Sequence, residues 1–234
     1  MTGFIKRGAK TGETLRVYIE GDGFSWKNRY EPSQDPTPKN PVALHMAIAD
    51  PGSNLLYLGR PCQYCKDIAE TPLCHPRYWS THRYSSKIID AISNSIDQVM
   101  KHTRAKSVEL VGFSGGGTVA ALLAAMRSDV VWFATVAANL DLGSWTSLHG
   151  VMPLHGSLNP ADFSATLQTV PQIHFVGGKD KKVPEAIIRS YLDRMTDHSM
   201  TEIVLFPDFD HKCCWVEEWP IILQQRIKTE FLVP

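Results

Sequence analysis

The sequence has no excess of charge of either sign. Its 24 Lys and Arg residues are balanced by 24 Asp and Glu, for a formal net charge of zero. A neutral chain has no field with which to grip nucleic-acid phosphates or an anionic membrane face, so neither is an expected partner. Long hydrophobic runs are missing too. The longest, Val119 to Met126, is far short of a bilayer span. No apolar core follows the basic residues of the opening MTGFIKRGAK, so no signal peptide is legible there. A cytosolic protein and a chain whose export signal has been removed both fit that opening. Internal repeats and low-complexity tracts are absent. Cysteine is scarce, five in all, and clustered as Cys62, Cys65 and Cys74, then the adjacent Cys213 and Cys214. An odd count leaves at least one thiol unpaired within the chain.

What is present is an ordinary globular composition. Of 234 residues, 43% are hydrophobic and 21% charged, which excludes disorder as the dominant state. The length suits one well-buried core and is short for two domains with a linker, so a single domain over 1–234 is expected. Strands are predicted at Leu15 to Glu20, Asn54 to Leu58, Ser107 to Phe113, Val130 to Ala138, Gln172 to Val176 and Thr201 to Phe206. Helices are predicted at Pro41 to Asp50, Tyr84 to Thr103, Thr118 to Met126, Glu185 to Met195 and Trp215 to Phe231. Phe24 to Pro41 is polar and proline-rich, hence a long loop. Strands alternating with helices predict an α/β fold, a mostly parallel central sheet with helices on both faces. Chemistry in such sheets sits just past the carboxyl ends of the strands.

Past the strand Ser107 to Phe113 the chain reads G-F-S-G-G-G, a G-x-S-x-G with Ser114 at its centre. A serine at a sharp strand-to-helix turn adopts a strained backbone, and glycines two residues to either side relieve the crowding. The following helix aims its positive end at the place where an oxyanion would form. The alanines Ala120, Ala121, Ala124 and Ala125 are expected to let that helix pack closely on the strands. The competing readings are a glycine-rich packing turn and a phosphate cradle, but a phosphate loop would carry G-x-x-x-x-G-K-[ST], and no lysine follows here.

A serine hydroxyl needs a base, and the base needs orienting. In the strand–turn–helix setting the partners follow in the order acid, then histidine. Asp180 lies in the loop after Gln172 to Val176, and His211 in the loop after Thr201 to Phe206. Asp141 competes as the acid. Asp208 and Asp210 are so close to His211 that bracing its loop is their expected role, while His149 and His155 are candidate pocket residues. For the oxyanion hole, one donor is the backbone N–H of Gly115. The other comes from the turn Glu20 to Phe24, with Asp22 first and Gly23 second. A carboxylate beside an oxyanion is unfavourable, so the Asp22 side chain is expected to point away and fix its loop by hydrogen bonds.

These residues resemble the α/β-hydrolase superfamily, over nearly the whole chain. More narrowly, the runs VYIEGDGF, RPCQYC, YWSTHRYS, VGFSGGG, SLNPADF, PQIHFVGGKDKKVP and DHKCCW are similar to a group of little-characterised bacterial α/β-hydrolases. The resemblance implies a triad of Ser114, Asp180 and His211, with Gly115 and the Asp22 turn as oxyanion donors. One departure is that the His-Gly usual before the oxyanion turn is Glu20-Gly21 here. Members of the narrower group look exported or lipid-anchored, which implies an extracytoplasmic home, with the cytoplasm as the alternative.

Cys62-x-x-Cys65 with Cys74-His75 admits a zinc reading, but no second C-x-x-C accompanies it. A disulfide joining two of Cys62, Cys65 and Cys74, which flank one loop, is favoured in an oxidising compartment. A bond between the neighbours Cys213 and Cys214 meets poor geometry, and a bridge from one of them would brace the loop of His211. In the cytosol all five would be reduced. The aromatic residues Trp26, Tyr78 and Trp145 lie in loops expected near the strand ends. They are candidate substrate-binding residues, with loop anchoring as the plainer alternative. Leu140 to Thr169 leaves room for at most a small cap, so minimal or no lid is expected, and with it a preference for small or extended esters. The expected activity is a serine hydrolase cleaving carboxylic esters through an acyl-enzyme, needing no metal or organic cofactor. The alternatives are a peptidase, thioesterase or acyltransferase using the same triad, and a non-catalytic binding module on the fold. The expected partner is a small-molecule ester, with monomer and homo-oligomer both open.

Overall fold

Runs that are apolar on both faces need cover on both faces, and the chain supplies it by alternating them with helices. The computed structural model describes residues 1–7, 13–65, 68, 71 and 74–227. Its strands are β1 (Gly3–Lys6), β2 (Thr14–Ile19), β3 (Leu55–Leu58), β4 (Ser107–Phe113), β5 (Val130–Val136), β6 (Gln172–Gly177) and β7 (Thr201–Phe206). They form one seven-stranded sheet in the order β1-β3-β2-β4-β5-β6-β7. β1 runs antiparallel to β3, and every other pairing is parallel. This is the α/β-hydrolase architecture expected from the sequence. β1 was not predicted. It is a four-residue edge strand with all its residues exposed, so it carries no alternation of apolar and polar positions to read.

The helices are α1 (Val42–Ala49), α2 (Ser86–Thr103), α3 (Gly115–Met126), α4 (Leu142–His149), α5 (Ser164–Leu167), α6 (Glu185–Leu192) and α7 (Trp215–Ile222). α1 and α7 pack together on one face of the sheet, in a core that holds Met46, Phe175, Trp215 and Trp219. The other face is covered by α2, α3 and α6. α2 turns Ile88, Ile89, Ile92 and Ile96 inward, the stripe its spacing predicts. α3 is buried on all sides through Ala124, and its small residues allow that. The closing helix is shorter than expected: α7 ends at Ile222, Leu223–Ile227 forms a π-helical turn, and the expected remainder to Phe231 lies outside the described residues. No helix among the described residues is long and apolar enough to cross a membrane.

The sheet order places β2 and β4 side by side, with the chain leaving β2 toward one edge and β4 toward the other. Ligands bind at such a switch point, beyond the strand ends. The segment between β5 and β6 holds α4, a 3₁₀ turn at Pro160–Phe163 and α5. It is a small cap rather than a lid domain.

One core residue ties this fold to pH. His174 on β6 is fully buried, with Nδ1 2.8 Å from the Thr135 hydroxyl and Nε2 3.0 Å from the Gln172 side-chain oxygen. Burial pushes its pKa down to about 3. The unfolded chain therefore takes up a proton below pH ~6.5 that the native state refuses, and stability falls by about 1.4 kcal/mol per pH unit as pH drops from there toward 3. Urea unfolding at several pH values is expected to show that slope reduced by about the same amount in His174→Gln. Equal slopes in the two proteins would contradict the assignment.

Candidate active site

The turn after β4 is built for one side chain to stand clear of the sheet. Ser114 has φ 51° and ψ −122°, a strained left-handed-side conformation, and its N–H donates to the Val136 carbonyl at 2.8 Å. Only glycine fits at the two flanking positions. A Cβ on Gly112 would lie 2.2 Å from the Gly116 carbonyl oxygen, and one on Gly116 would lie 2.1 Å from that of Ile19. The G-x-S-x-G spacing is thus a consequence of β4, β2 and α3 meeting closely. α3 starts at Gly115; the Gly117 N–H donates to the Ser114 carbonyl at 2.9 Å, and the N–H groups ahead of it at the helix start lie beyond the reach of the i−4 ladder.

Asp180 and His211 arrive from the neighbouring strand ends. Asp180 follows β6, and one of its carboxylate oxygens accepts the N–H groups of Lys182 at 2.7 Å and Val183 at 2.9 Å. The other lies 2.8 Å from His211 Nδ1. His211 follows β7, with Nε2 3.0 Å from Ser114 Oγ and its ring 5.5 Å from that of Phe113. Asp210 braces this loop as expected, accepting from the N–H groups of Lys212 at 2.7 Å and Cys213 at 2.8 Å. These bonds hold its carboxyl below the usual carboxylate range. The three predicted side chains, far apart in sequence, form one continuous hydrogen-bonded chain.

The turn after β2 carries a network that spacing did not reveal. The Asp22 carboxylate accepts from Arg83 Nη1 at 2.6 Å, Arg60 Nη1 at 3.1 Å and the Tyr84 hydroxyl at 2.9 Å. Burial would raise its pKa, but Arg83 and Arg60 outweigh that and hold it below the usual range. Arg60 also donates to the Gly115 carbonyl at 3.2 Å and to the Arg83 carbonyl. Asp22 Oδ1 sits so near Gly115 that a Cβ there would lie 2.1 Å away. The side chain therefore fixes its loop by hydrogen bonds, as expected, and lies against Gly115 at the elbow. Among the described residues the N–H of Asp22 donates to no acceptor. Gly23 beside it has φ +66° and is exposed. Glu20, in place of the usual histidine, is buried. It accepts from Gly21 N–H at 2.9 Å and the Tyr57 hydroxyl at 3.2 Å, and reaches the first N–H groups of α1 at Ala43 and Leu44. Burial raises its carboxyl, with those donors opposing.

Other expectations divide. Trp26 and Trp145 line a cleft of about 590 Å³ that opens onto Ser114 and His211. Tyr78 does not. It is buried in the core beside α2, with its hydroxyl accepting from Arg77 and Lys87, so the plainer anchoring role is the one it fills. Asp141, the competing acid, caps α4 through the Ser144 N–H at 3.1 Å and pairs with Arg194, away from the histidine. Asp208 is exposed and pairs with Lys179. Neither candidate pocket histidine lines the cleft: His149 packs at a tilt against Trp145, ring centroids 5.0 Å apart, and contacts the Lys182 carbonyl, and His155 is exposed. Cys62 and Cys74 stand at disulfide distance, which leaves them unavailable to a zinc ion, and so do Cys213 and Cys214; Cys65 is free.

A family model described as "Serine hydrolase (FSH1)" matches residues 63–212, more than half of the chain. The chain belongs to that family. It is a serine hydrolase on the α/β-hydrolase fold. Est1E from Butyrivibrio proteoclasticus, solved with ferulic acid bound, superposes with a TM-score of 0.65 at 13% identity, over 97% of this chain and 95% of that one. The esterase domain of a Rhodothermus marinus protein gives 0.60 at 12% identity, over 93% and 86%. An α/β serine hydrolase homologue from Coxiella burnetii gives 0.60 at 13%, over 94% and 88%. At such identities these structures are alike in fold alone. No curated protein matches the sequence.

Proposed function

We propose that this FSH1-family serine hydrolase cleaves carboxylic esters, with Ser114 as nucleophile, His211 as general base and acid, and Asp180 as the group that orients the imidazole. The observation that carries the reading is the chain of contacts from Asp180 through His211 to Ser114, at 2.8 Å and 3.0 Å. With one Asp180 oxygen occupied by two backbone N–H groups, the other is aimed at Nδ1, which then carries the proton and leaves Nε2 free to accept from Oγ. Ser114 attacks the carbonyl, and the Gly115 N–H with that of Asp22, or Gly23 in second place, stabilises the oxyanion. His211 returns its proton to the leaving alcohol. It then activates the water that releases the acyl group. These steps need no metal or organic cofactor.

A thioesterase, peptidase or acyltransferase would use the same triad, so substrates must separate them. A panel of p-nitrophenyl esters of increasing chain length, acyl thioesters and peptide amides is expected to give saturable turnover of the short esters and negligible turnover of amides. Fast amide cleavage beside negligible ester turnover would overturn the choice.

A further inference from the structure

We propose that the ester cleaved here carries a second, anionic group, held at the mouth of the cleft by Arg29, Lys39, Lys182 and Lys212; this rests on the serine hydrolase reading of Ser114. The chain as a whole is neutral, so a basic cleft is a local arrangement and not a by-product of composition. All four side chains line the cleft that opens onto Ser114, and all four are exposed. The acidic residues that share the lining, Glu20 and Asp22, are both committed. Asp22 is neutralised by Arg60 and Arg83, and Glu20 is buried under backbone N–H groups and Tyr57. Among the described residues none of the four cations is in an ion pair. Arg29 donates to the Gly150 carbonyl, and Lys39 lies over the Phe24 ring at 5.2 Å. Four positive charges outside any ion pair, only Lys212 of them near a further carboxylate at Asp210, surround a partly apolar cleft, focus potential and draw in an anion. Trp26 and Trp145 offer the apolar wall against which the carbon skeleton between ester and anion would lie. Carboxylate and phosphate share this chemistry.

The test compares p-nitrophenyl hemisuccinate and a phosphate-bearing p-nitrophenyl ester with neutral p-nitrophenyl butyrate. At low ionic strength, kcat/KM is expected to favour at least one anionic ester by about tenfold or more. The preference should shrink toward one in 1 M salt, where the screening length falls to about 3 Å. It should shrink similarly in Lys39→Gln/Lys182→Gln, whose altered side chains are exposed and leave the backbone contacts of Lys182 intact. Which anionic ester leads tells carboxylate from phosphate. A ratio at or below one for both, or a ratio the double variant does not change, overturns the inference. So does a preference seen only with acyl groups tethered to an acidic carrier protein. A parallel pair of fluorophosphonates, one neutral and one carboxylate-tailed, separates the two levels. Labelling of Ser114 by both at equal rates sinks the anion preference alone, whereas labelling by neither removes the serine hydrolase reading at Ser114 and this inference with it.

Discussion

Ser114→Ala is expected to lower kcat on a p-nitrophenyl ester by about 10⁶-fold while leaving the fold and substrate affinity near those of the wild type. The oxygen it removes is the one 3.0 Å from His211 Nε2, and nothing else in the elbow can take its place. Labelling by a fluorophosphonate should vanish together with turnover. His211→Ala should cost about as much, and Ser114→Ala/His211→Ala no more than either alone, because the residues act as a unit. Asp180→Asn should fall by about 10⁴-fold, since an amide facing Nδ1 favours the wrong tautomer. Thermal unfolding of each variant beside the kinetics separates lost chemistry from lost structure. Wild type and Ser114→Ala labelling at the same rate would dismiss Ser114 as the nucleophile.

Much of this was readable beforehand because the constraints were local. G-x-S-x-G reports a steric collision among β4, α3 and Ile19 on β2, and a collision that only glycine avoids leaves its mark in the sequence itself. Asp180 and His211 were found by counting strand ends, which works because a parallel sheet sends all its carboxyl ends to one rim. Besides α4 and α5, three things were not readable. β1 is too short and too exposed to have a period. Tyr78 sits in a loop between strands like Trp26, and only packing against α2 tells an anchor from a cleft wall. Arg60, Arg83 and Tyr84 stand in runs noted for resemblance, yet their function depends on Asp22, about forty to sixty residues away, and no spacing links them. Buried ion networks of this kind are long-range in sequence and short-range in space.

That network leads to the second large expectation. Asp22→Asn removes one negative charge from between two buried guanidinium groups. Stranding a buried ionic partner costs about 3–5 kcal/mol, and denaturant unfolding should record a loss of that order. The pH dependence adds a signature. Because Arg83 and Arg60 hold the folded Asp22 below its unfolded value of about 3.9, its contribution is present above that pH and lost as pH falls through the folded value. The variant should lack this acid-side loss, in a window that opens near the acid end of the one governed by His174 and extends below it. The kinetic effect is separate. Asp22 clamps its own backbone to Gly115, and both N–H groups are the proposed oxyanion donors. With the clamp gone they no longer converge, and kcat should fall by about 10²-fold with KM nearly unchanged, the pattern of a lost transition-state contact. Counting active sites by fluorophosphonate titration removes any misfolded fraction from the comparison. If kcat per titrated site equals that of the wild type, the carboxylate stabilises the fold and does not position the oxyanion turn.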